Sequence, residues 1–247
     1  MNRVYRGLMT ALGYLLFGVG AILMEILVPL WLLQFSPGAQ RQLAARRAIA
    51  WLWRNFLRYL KVTGVIRYHF ENTGLLGKPG QLILANHPSL LDVLLLLSVV
   101  PESNCIVKKQ LWDNLFLGVL IRAAGFIPNN ENETTLEAAT HALERGEILM
   151  IFPEGTRTDY DGKIAFNRAA VSIGLRAAKE ICPVSICMRP LGLKKGDAWY
   201  HIPKNPYSYH IRVGKVISPK EYIGTRALPI AAKQLNKELI DYFQREA

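Results

Sequence analysis

Residues 81–92 have the sequence Gln81-Leu82-Ile83-Leu84-Ala85-Asn86-His87-Pro88-Ser89-Leu90-Leu91-Asp92, and the rest of the chain can be understood around them. The apolar run at the start predicts a short buried strand. The run breaks at Asn86, and a second apolar run, from Leu90 to Leu97, is long enough for a buried helix. The stretch therefore predicts a strand, a short connection and a helix.

His87 and Asp92 form a candidate catalytic pair within this stretch. Proline is accepted at the first position of a helix, so Pro88 would put His87 at the N-cap and Asp92 in the second turn. Inside one ideal helix the two residues would be about 140° apart and could not meet. With His87 outside the helix, Asp92 can take one ring N–H while the other ring nitrogen faces the open end of the strand. This arrangement makes a general base, although the same spacing also arises by chance.

A second unusual stretch, Phe152-Pro153-Glu154-Gly155-Thr156-Arg157-Thr158, also follows an apolar run, at residues 148–151. Because α/β proteins bind ligands at the edge of the sheet, two strand ends with titratable groups predict one shared site. Gly155 would let the loop approach a ligand closely. The alternative is that Glu154 and Arg157 form only an ion pair within the loop.

Both stretches resemble motifs of the glycerolipid acyltransferases, the family of the 1-acylglycerol-3-phosphate acyltransferases. Residues 86–92 resemble its His-x4-Asp motif, and residues 152–158 resemble its Phe-Pro-Glu-Gly-Thr-Arg motif. Residues 181–186 are similar to its fourth motif, an apolar strand with a central proline, here Pro183. The resemblance extends roughly from residue 65 to residue 215. It implies the fold of that family, an α/β fold in which helices flank a mixed sheet.

The resemblance also implies roles for individual residues. His87 would remove a proton from the acceptor hydroxyl. Asp92 would orient the His87 ring and support the imidazolium that forms. The acceptor would be bound by the motif residues Glu154, Gly155, Thr156 and Arg157.

Three further positions are expected at or near the site. Lys108 ends a predicted strand where the family often has a lysine, and it is either a phosphate contact or an ordinary solvated charge. Residues 125–130 resemble the second family motif, but Asn129 or Asn130 stands where an arginine is expected. An amide can hydrogen-bond a phosphate but supplies no charge. Pro183 either shapes the acyl pocket or starts its strand.

The expected reaction is direct transfer of a fatty acyl chain from a thioester, acyl-CoA or acyl-carrier protein, to the hydroxyl of a lysophospholipid. No metal or other cofactor is implied. Backbone N–H groups near the helix start or in the Glu154-Gly155 loop are candidate oxyanion donors. The alternatives are a different, specialised lipid acceptor and a non-catalytic membrane-binding protein on the same fold. A serine hydrolase is disfavoured because no Gly-x-Ser-x-Gly sequence is present.

Composition favours a membrane protein over a nucleic-acid-binding one. The net charge is +11 and the hydrophobic content is 51%. The basic residues are scattered and form no nucleic-acid-binding motif, so an anionic membrane surface and a phosphate-bearing substrate are the favoured partners. The three cysteines, Cys105, Cys182 and Cys187, have no metal-site spacing and indicate buried free thiols in a reducing compartment.

The chain divides into an N-terminal membrane segment, residues 1–62, and an acyltransferase domain, residues 63–247. Residues 8–33 are mostly apolar, and about twenty apolar residues can span a bilayer. We expect a spanning or deeply embedded helix rather than a purely interfacial one, with Glu25 facing protein or water. Residues 40–62 predict an amphipathic helix at the headgroup level. The expected location is the cytoplasmic face of a bacterial inner membrane.

Overall fold

A mixed sheet with helices on both faces makes up the fold of the computed structural model, which describes residues 2–130, 133–158, 160–161, 164–194, 196–198, 200–224 and 227–246. The helices are α1 (Arg3–Leu32), α2 (Ala39–Val62), α3 (Asp92–Val99), α4 (Lys109–Trp112), α5 (Gly118–Ala123), α6 (Glu133–Glu144), α7 (Arg168–Ala177), α8 (Lys220–Ile223) and α9 (Leu228–Glu246). The strands are β1 (Ile66–Glu71), β2 (Gln81–Ala85), β3 (Asn104–Lys108), β4 (Ile127–Asn129), β5 (Leu149–Ile151), β6 (Glu180–Arg189) and β7 (Tyr207–Val213). The expected α/β class is confirmed.

The strand order, β1-β7-β6-β2-β5-β3-β4, puts the two motif-bearing strands side by side. All neighbouring strands are parallel except β6 and β7, which are antiparallel. The carboxyl ends of β2 and β5 therefore meet at one edge of the sheet, and the loops that follow them are neighbours. This is the edge at which α/β proteins bind ligands.

Strand β2 is buried on both faces, which explains why its sequence is continuously apolar rather than alternating. Leu82 and Leu84 pack into the cluster formed with α6, α7 and α9. Ile83 and Ala85 pack into the cluster on the other face, together with residues of α1, α2 and α3. The site at the end of β2 thus grows from the most constrained strand of the sheet.

The predicted start of the helix after β2 is wrong. Pro88 is not its first residue, because α3 begins at Asp92 with Leu91 at the N-cap position. Residues 86–91 instead form a loop in which the Ser89 backbone N–H donates to the Asp92 carboxylate at 2.6 Å. This side-chain bond competes with the helical backbone pattern and delays the helix.

One other boundary differs from expectation. Pro183 lies inside β6, which begins at Glu180, so it does not start the strand.

The two N-terminal helices pack onto the α/β core. Ile49 and Leu60 of α2 belong to the same hydrophobic cluster as Ile83 of β2. The division at residue 62 stays a prediction. The fully buried Arg46 of α2 lies 2.7 Å from the Glu147 carboxylate. Its Nε donates to the Ala124 carbonyl at 2.8 Å, which ties α2 to two separate loops of the core.

Helix α1 is attached to the core near both of its ends. Arg6, 2% exposed, donates to the carbonyls of Pro203 and Lys204 at 2.7 and 2.5 Å. The Glu25 carboxylate accepts from the backbone N–H groups of Val119 and Leu120 at 3.2 and 3.4 Å. Glu25 therefore faces protein, as one of the expected alternatives had it, and satisfies backbone donors at the start of α5.

The opposite face of α1 is apolar and exposed. Within the described residues α1 is the one helix long and apolar enough to cross a membrane, by length and composition. Large apolar side chains project along its outer face: Leu8, Leu15, Val19, Leu23, Ile26, Leu27 and Leu30. A continuous exposed apolar stripe of this size is consistent with membrane association.

We expect Arg46→Ala to lower the free energy of unfolding by about 2 kcal/mol, because it leaves the Glu147 carboxylate and the Ala124 carbonyl short of a buried donor. Burial acts to raise the pKa of Glu147, but hydrogen bonds from Arg145 and Arg46 hold it below its usual value. The measurement is urea denaturation in detergent, followed by circular dichroism.

Arg145→Ala is the control, since Arg145 pairs with the same carboxylate from an exposed position. It should cost less than about 1 kcal/mol. Equal losses in the two variants would contradict the proposed importance of the buried contact.

Candidate active site

His87 and Asp92 meet at the carboxyl end of β2. His87 Nδ1 lies 2.8 Å from Asp92 Oδ2, and the Asp92 side chain is fully buried while that of His87 is 18% exposed. The buried carboxylate accepts the Nδ1 proton, so the remaining ring nitrogen, Nε2, is the basic one. The distance fits a histidine prepared to accept a proton from a bound hydroxyl.

The Asp92 carboxylate is held by the loop that precedes it. Ser89 donates twice, from its backbone N–H to Oδ2 at 2.6 Å and from its hydroxyl to Oδ1 at 2.7 Å. Each carboxylate oxygen thus has a donor, and the oxygen that faces His87 cannot rotate away without breaking a bond. Ser89 lies in the motif, but no local sequence pattern indicated this contact.

The second motif is joined to the first by two hydrogen bonds, and a third bond within the second motif supports them. The His87 backbone N–H donates to Glu154 Oε1 at 2.8 Å, and the Thr158 backbone N–H donates to the His87 carbonyl at 2.8 Å. The Thr158 hydroxyl donates to the same Glu154 oxygen at 3.0 Å. Burial raises the pKa of Glu154, which the hydrogen bonds from His87 and Thr158 partly offset. Glu154 therefore positions the His87 main chain, and these contacts stand where the alternative interpretation had an ion pair with Arg157.

Asn86 extends the pairing of β2 and β6 beyond the last backbone pair. Its side-chain amide donates to the Ile186 carbonyl at 2.9 Å and accepts from the Ile186 N–H at 2.7 Å. An asparagine can imitate a peptide group in this way, and both groups are buried. The chain can therefore leave the sheet at His87 without leaving the backbone N–H and carbonyl of Ile186 in β6 unpaired. The sequence analysis missed this function of Asn86.

Residues 155–157 are the least buried part of the second loop. Gly155 has φ +66°, a left-handed conformation that favours glycine, and a Cβ there would meet no atom within 4 Å. Thr156 is exposed beside it. The Arg157 guanidinium donates through Nη1 to the Leu193 carbonyl at 2.7 Å and is half-buried. The conformation of the loop explains the glycine, while acceptor binding by these residues stays a prediction.

An apolar cavity of about 150 Å³ adjoins the histidine loop. Leu90 and Leu91, which directly follow Ser89, contribute to its wall, and so does Leu193, the partner of Arg157. The other side is formed by α1 and α2, for example by Phe17 and Leu60. The cavity therefore runs from the candidate catalytic loop towards the N-terminal helices.

Lys108 and Asn129 lie at the same sheet edge but farther away. They are register partners at the ends of β3 and β4. Strand β3 is two strands from β2, which corresponds to about 10 Å. Pro183 pairs with Leu84 inside the sheet and does not line the cavity; its carbonyl accepts from the Gly214 N–H at 2.8 Å. Direct substrate contact by these three residues stays a prediction.

Several candidate oxyanion donors are engaged within the loops. The Gly155 N–H donates to the Phe152 carbonyl at 3.1 Å, and the Leu91 N–H donates to the Ser89 hydroxyl at 3.2 Å.

The Phe152 ring packs on the His87 ring with centroids 4.6 Å apart. Phe152 thus covers one face of the imidazole and restricts its orientation.

Potential metal-ligating and nucleophilic groups lie elsewhere. Among the described residues, His69, Glu71 and His210 bring ligand atoms within 4.8 Å of one another. They lie on β1 and β7, where Glu71 already accepts from Arg212 at 2.7 Å.

Of the predicted free thiols, Cys105 and Cys182 are buried and Cys187 is half-buried. Burial raises the pKa of Cys105 and of Cys182 to about 12, so neither is a thiolate nucleophile at neutral pH.

Glu154→Gln should become more stable relative to wild type as the pH rises from about 4 to 7. The pKa of Glu154 is raised above its ordinary value of 4.5, so its favourable contribution is complete below that value and is lost as the pH rises through the raised pKa. The glutamine side chain of the variant keeps an acceptor oxygen but cannot ionise. The measurement is the melting temperature of both proteins across this range.

Glu154→Leu is the control. It removes both the ionisable group and the acceptor of the His87 N–H, so it should be less stable than wild type at every pH. A difference between Glu154→Gln and wild type that does not change with pH would contradict the burial effect.

Comparison with known proteins supports a common fold and family. The crystal structure of the 1-acyl-sn-glycerophosphate (LPA) acyltransferase PlsC from Thermotoga maritima matches with a TM-score of 0.75 and 21% identity, over 99% of this chain and 95% of that chain. This similarity shows the fold, a mixed α/β sheet flanked by helices.

Two curated relatives bear the name 1-acyl-sn-glycerol-3-phosphate acyltransferase. The protein from Helicobacter pylori (strain J99) is 33% identical over 105 residues, 40% of this chain and 43% of the relative. The protein from Bacillus subtilis (strain 168) is 29% identical over 127 residues, 49% of this chain and 62% of the relative. The chain thus spans about half the length of the curated relatives it matches. The family model described as Acyltransferase matches residues 43–187, more than half of the chain, so this chain belongs to the Acyltransferase family.

Proposed function

We propose that this protein transfers a fatty acyl chain from a thioester to the hydroxyl of a lysophospholipid, with 1-acylglycerol-3-phosphate as the favoured acceptor. The observation that carries the proposal is the His87–Asp92 pair, 2.8 Å apart at the end of β2, in a loop whose Leu90 and Leu91 line an apolar cavity. Membership of the Acyltransferase family and the names of the relatives support the reaction class. The loops at the ends of β2 and β5 carry a histidine paired with a carboxylate and a guanidinium, and both features support the proposal.

The proposed mechanism has a single tetrahedral intermediate. His87 Nε2 takes the proton of the acceptor hydroxyl while Asp92 stabilises the imidazolium. The hydroxyl oxygen bonds to the thioester carbonyl carbon, the C–S bond then breaks, and the proton passes from His87 to the departing thiolate. The proposed reaction uses no metal, no further cofactor and no acyl-enzyme, and the high pKa values of Cys105 and Cys182 argue against either of these two thiols as a nucleophile.

Arg157 is the best-placed candidate for an acceptor phosphate among the predicted contacts. Its backbone lies one residue before Thr158, which is hydrogen-bonded to His87, and its guanidinium reaches the cavity wall at Leu193. A guanidinium can bind a phosphate bidentately. In the proposed function Lys108 is a more distant contact that contributes to attracting the anionic acceptor.

A second acceptor class is favoured by one specific position. Asn129 ends β4 where the family motif has an arginine, so the proposed phosphate site has one charge fewer than that motif implies. A lysolipid with a free hydroxyl but no terminal phosphate is therefore the alternative acceptor. The donor is acyl-CoA or acyl-carrier protein, and the net charge of +11 suits both because both are anionic.

We further propose that α1 lies in the membrane interface, which is the less favoured of the two arrangements considered from the sequence, where a spanning or deeply embedded helix was expected. Its contacts at Arg6 and Glu25 hold it against the core over about 28 Å, since each helical residue rises 1.5 Å. The exposed leucines would enter the acyl region and bring the cavity close to its lipid substrates. The proposed location is the cytoplasmic face of a bacterial inner membrane, which fits buried free thiols.

Removal of the base tests the reaction. We expect His87→Ala to lower kcat by 10²- to 10⁴-fold, about the contribution of a general base. The assay is acyl transfer in detergent–lipid micelles, from acyl-CoA and from acyl-carrier protein, to 1-acylglycerol-3-phosphate and to lysolipids without a terminal phosphate. His141→Ala, at an exposed position on α6, is the matched control and should keep wild-type activity.

The acceptor panel separates the two candidate functions. Transfer to 1-acylglycerol-3-phosphate supports the favoured acceptor, and transfer only to phosphate-free lysolipids supports the alternative. Wild-type protein without activity on any acceptor, or full activity in His87→Ala, would refute the catalytic assignment.

The membrane arrangement predicts that the double variant Leu15→Gln, Leu23→Gln binds anionic phospholipid vesicles at least tenfold more weakly than wild type, since two leucines would lose about 3 kcal/mol of burial. These side chains are 61% and 50% exposed, so their replacement should not affect folding. Vesicle co-sedimentation measures the partition coefficient.

Ile230→Gln, 59% exposed on α9, is the control and should bind like wild type. Two outcomes would show that α1 is not the docking surface. In one, vesicle binding is weakened equally in the α9 control and the α1 variant. In the other, vesicle binding is unchanged in both.

A further inference from the structure

A buried tyrosine reaches the catalytic loop from a distant part of the chain. Tyr209 lies in β7 and is 1% exposed. Its hydroxyl donates to the Ser89 hydroxyl oxygen at 3.1 Å, across 120 positions of sequence. Within the sheet β6 separates β7 from β2, so the phenol spans from one strand to the loop that follows another.

The directions of the hydrogen bonds follow from the chemistry of the acceptor. Ionised Asp92 has no proton to give, so the Ser89 hydroxyl must donate its proton to Oδ1. The Ser89 oxygen is then left as an acceptor, and it receives the Tyr209 hydroxyl at 3.1 Å and the Leu91 N–H at 3.2 Å. Every proton in the chain Tyr209–Ser89–Asp92 therefore points towards the carboxylate.

Such a chain has two physical effects on Asp92. A fully buried carboxylate is costly unless donors compensate for lost water, and a donor that itself accepts a hydrogen bond is a stronger donor. The bond from Tyr209 also fixes the Ser89 rotamer, which fixes the oxygens of Asp92 and thereby the His87 ring. Burial, with a further contribution from Asp92, raises the pKa of Tyr209 well above its usual value, so the phenol remains a donor.

We propose that Tyr209 is a positioning residue for the reaction: through Ser89 it holds the Asp92 carboxylate in the orientation that supports His87. The inference rests on the proposed function and adds a residue outside both motifs. The hydroxyl, rather than the packing of the ring, carries the effect.

The test compares wild type with Tyr209→Phe, which keeps the ring and removes only the hydroxyl. We expect kcat to fall about fivefold to tenfold with little change in KM. The acidic limb of the kcat/KM profile should move to higher pH, because a weaker Ser89 donor leaves more negative charge on Asp92 and so favours the imidazolium. An NMR titration of the His87 ring is the second measurement of the same change.

Two carboxylates face His87 in this test, Asp92 from the start of α3 and Glu154 from the loop after β5. Glu154 is unchanged in all variants, so its influence on the titration is constant. Tyr222→Phe is the matched control, since its hydroxyl bonds Glu238 on α9, away from the site. It should keep wild-type kcat and the wild-type His87 titration.

A double-mutant cycle distinguishes positioning from a general structural effect. If Tyr209 acts through Ser89, adding Tyr209→Phe to Ser89→Ala should change neither kcat nor the His87 titration further. Additive losses in the double variant, or a Tyr209→Phe protein identical to wild type, would overturn the proposal.

The titration keeps this proposal separate from the proposed function. Wild type without acyl transfer to any acceptor would refute the function, and the NMR titration of the four proteins in the cycle would still decide whether Tyr209 is linked to His87. Activity in wild type with an unchanged titration in Tyr209→Phe would refute the link alone.

Discussion

The whole site depends on one buried carboxylate. Asp92 has no solvent contact, yet it accepts three hydrogen bonds, two from Ser89 and one from His87. Those bonds displace the start of α3 to Asp92, form the loop that carries His87, and select the ring nitrogen that stays basic. The second motif supports the same loop from outside, because Glu154 and Thr158 hold the His87 main chain. The two motifs are therefore parts of one hydrogen-bonded structure that rests on the ends of β2 and β5.

The strength of this arrangement comes from the sheet beneath it. Strand β2 is buried on both faces, and Asn86 completes its pairing with β6 through a side chain. The backbone up to His87 is thus anchored in the buried sheet, while Gly155 and Thr156 of the second loop are exposed. A fixed base beside an exposed loop suits a reaction that must align two large lipid substrates without moving the catalytic pair.

The sequence predicted what local patterns encode. Apolar runs located β2 and β5, and the motif spacing correctly brought His87 to Asp92. The predicted start of α3 was wrong, because helix propensity and the position of Pro88 do not predict that the Asp92 carboxylate accepts a hydrogen bond from the Ser89 N–H. The sequence analysis also missed the link from Tyr209 to Ser89, since contacts between residues 120 positions apart depend on strand order and not on local pattern. Lys108 was expected at the site from motif position, and its separation from β2 by one intervening strand follows from a strand order that local patterns do not encode. Pro183 lies on the neighbouring strand β6, where it pairs with Leu84 inside the sheet.

Helix α1 contributes both to the exposed apolar surface and to the wall of the cavity. Its outer face is exposed and apolar, while Phe17 and Gly13 on its inner face line the cavity beside the catalytic loop. A Cβ on Gly13 would lie 3.3 Å from the Tyr59 ring, so the helix packs closely there. Under the proposed function, the membrane anchor and the wall of the substrate pocket are the same element. A chimera that exchanged the anchor for one from another protein would also exchange part of the pocket, so attachment and chain selectivity could not be engineered or evolve independently.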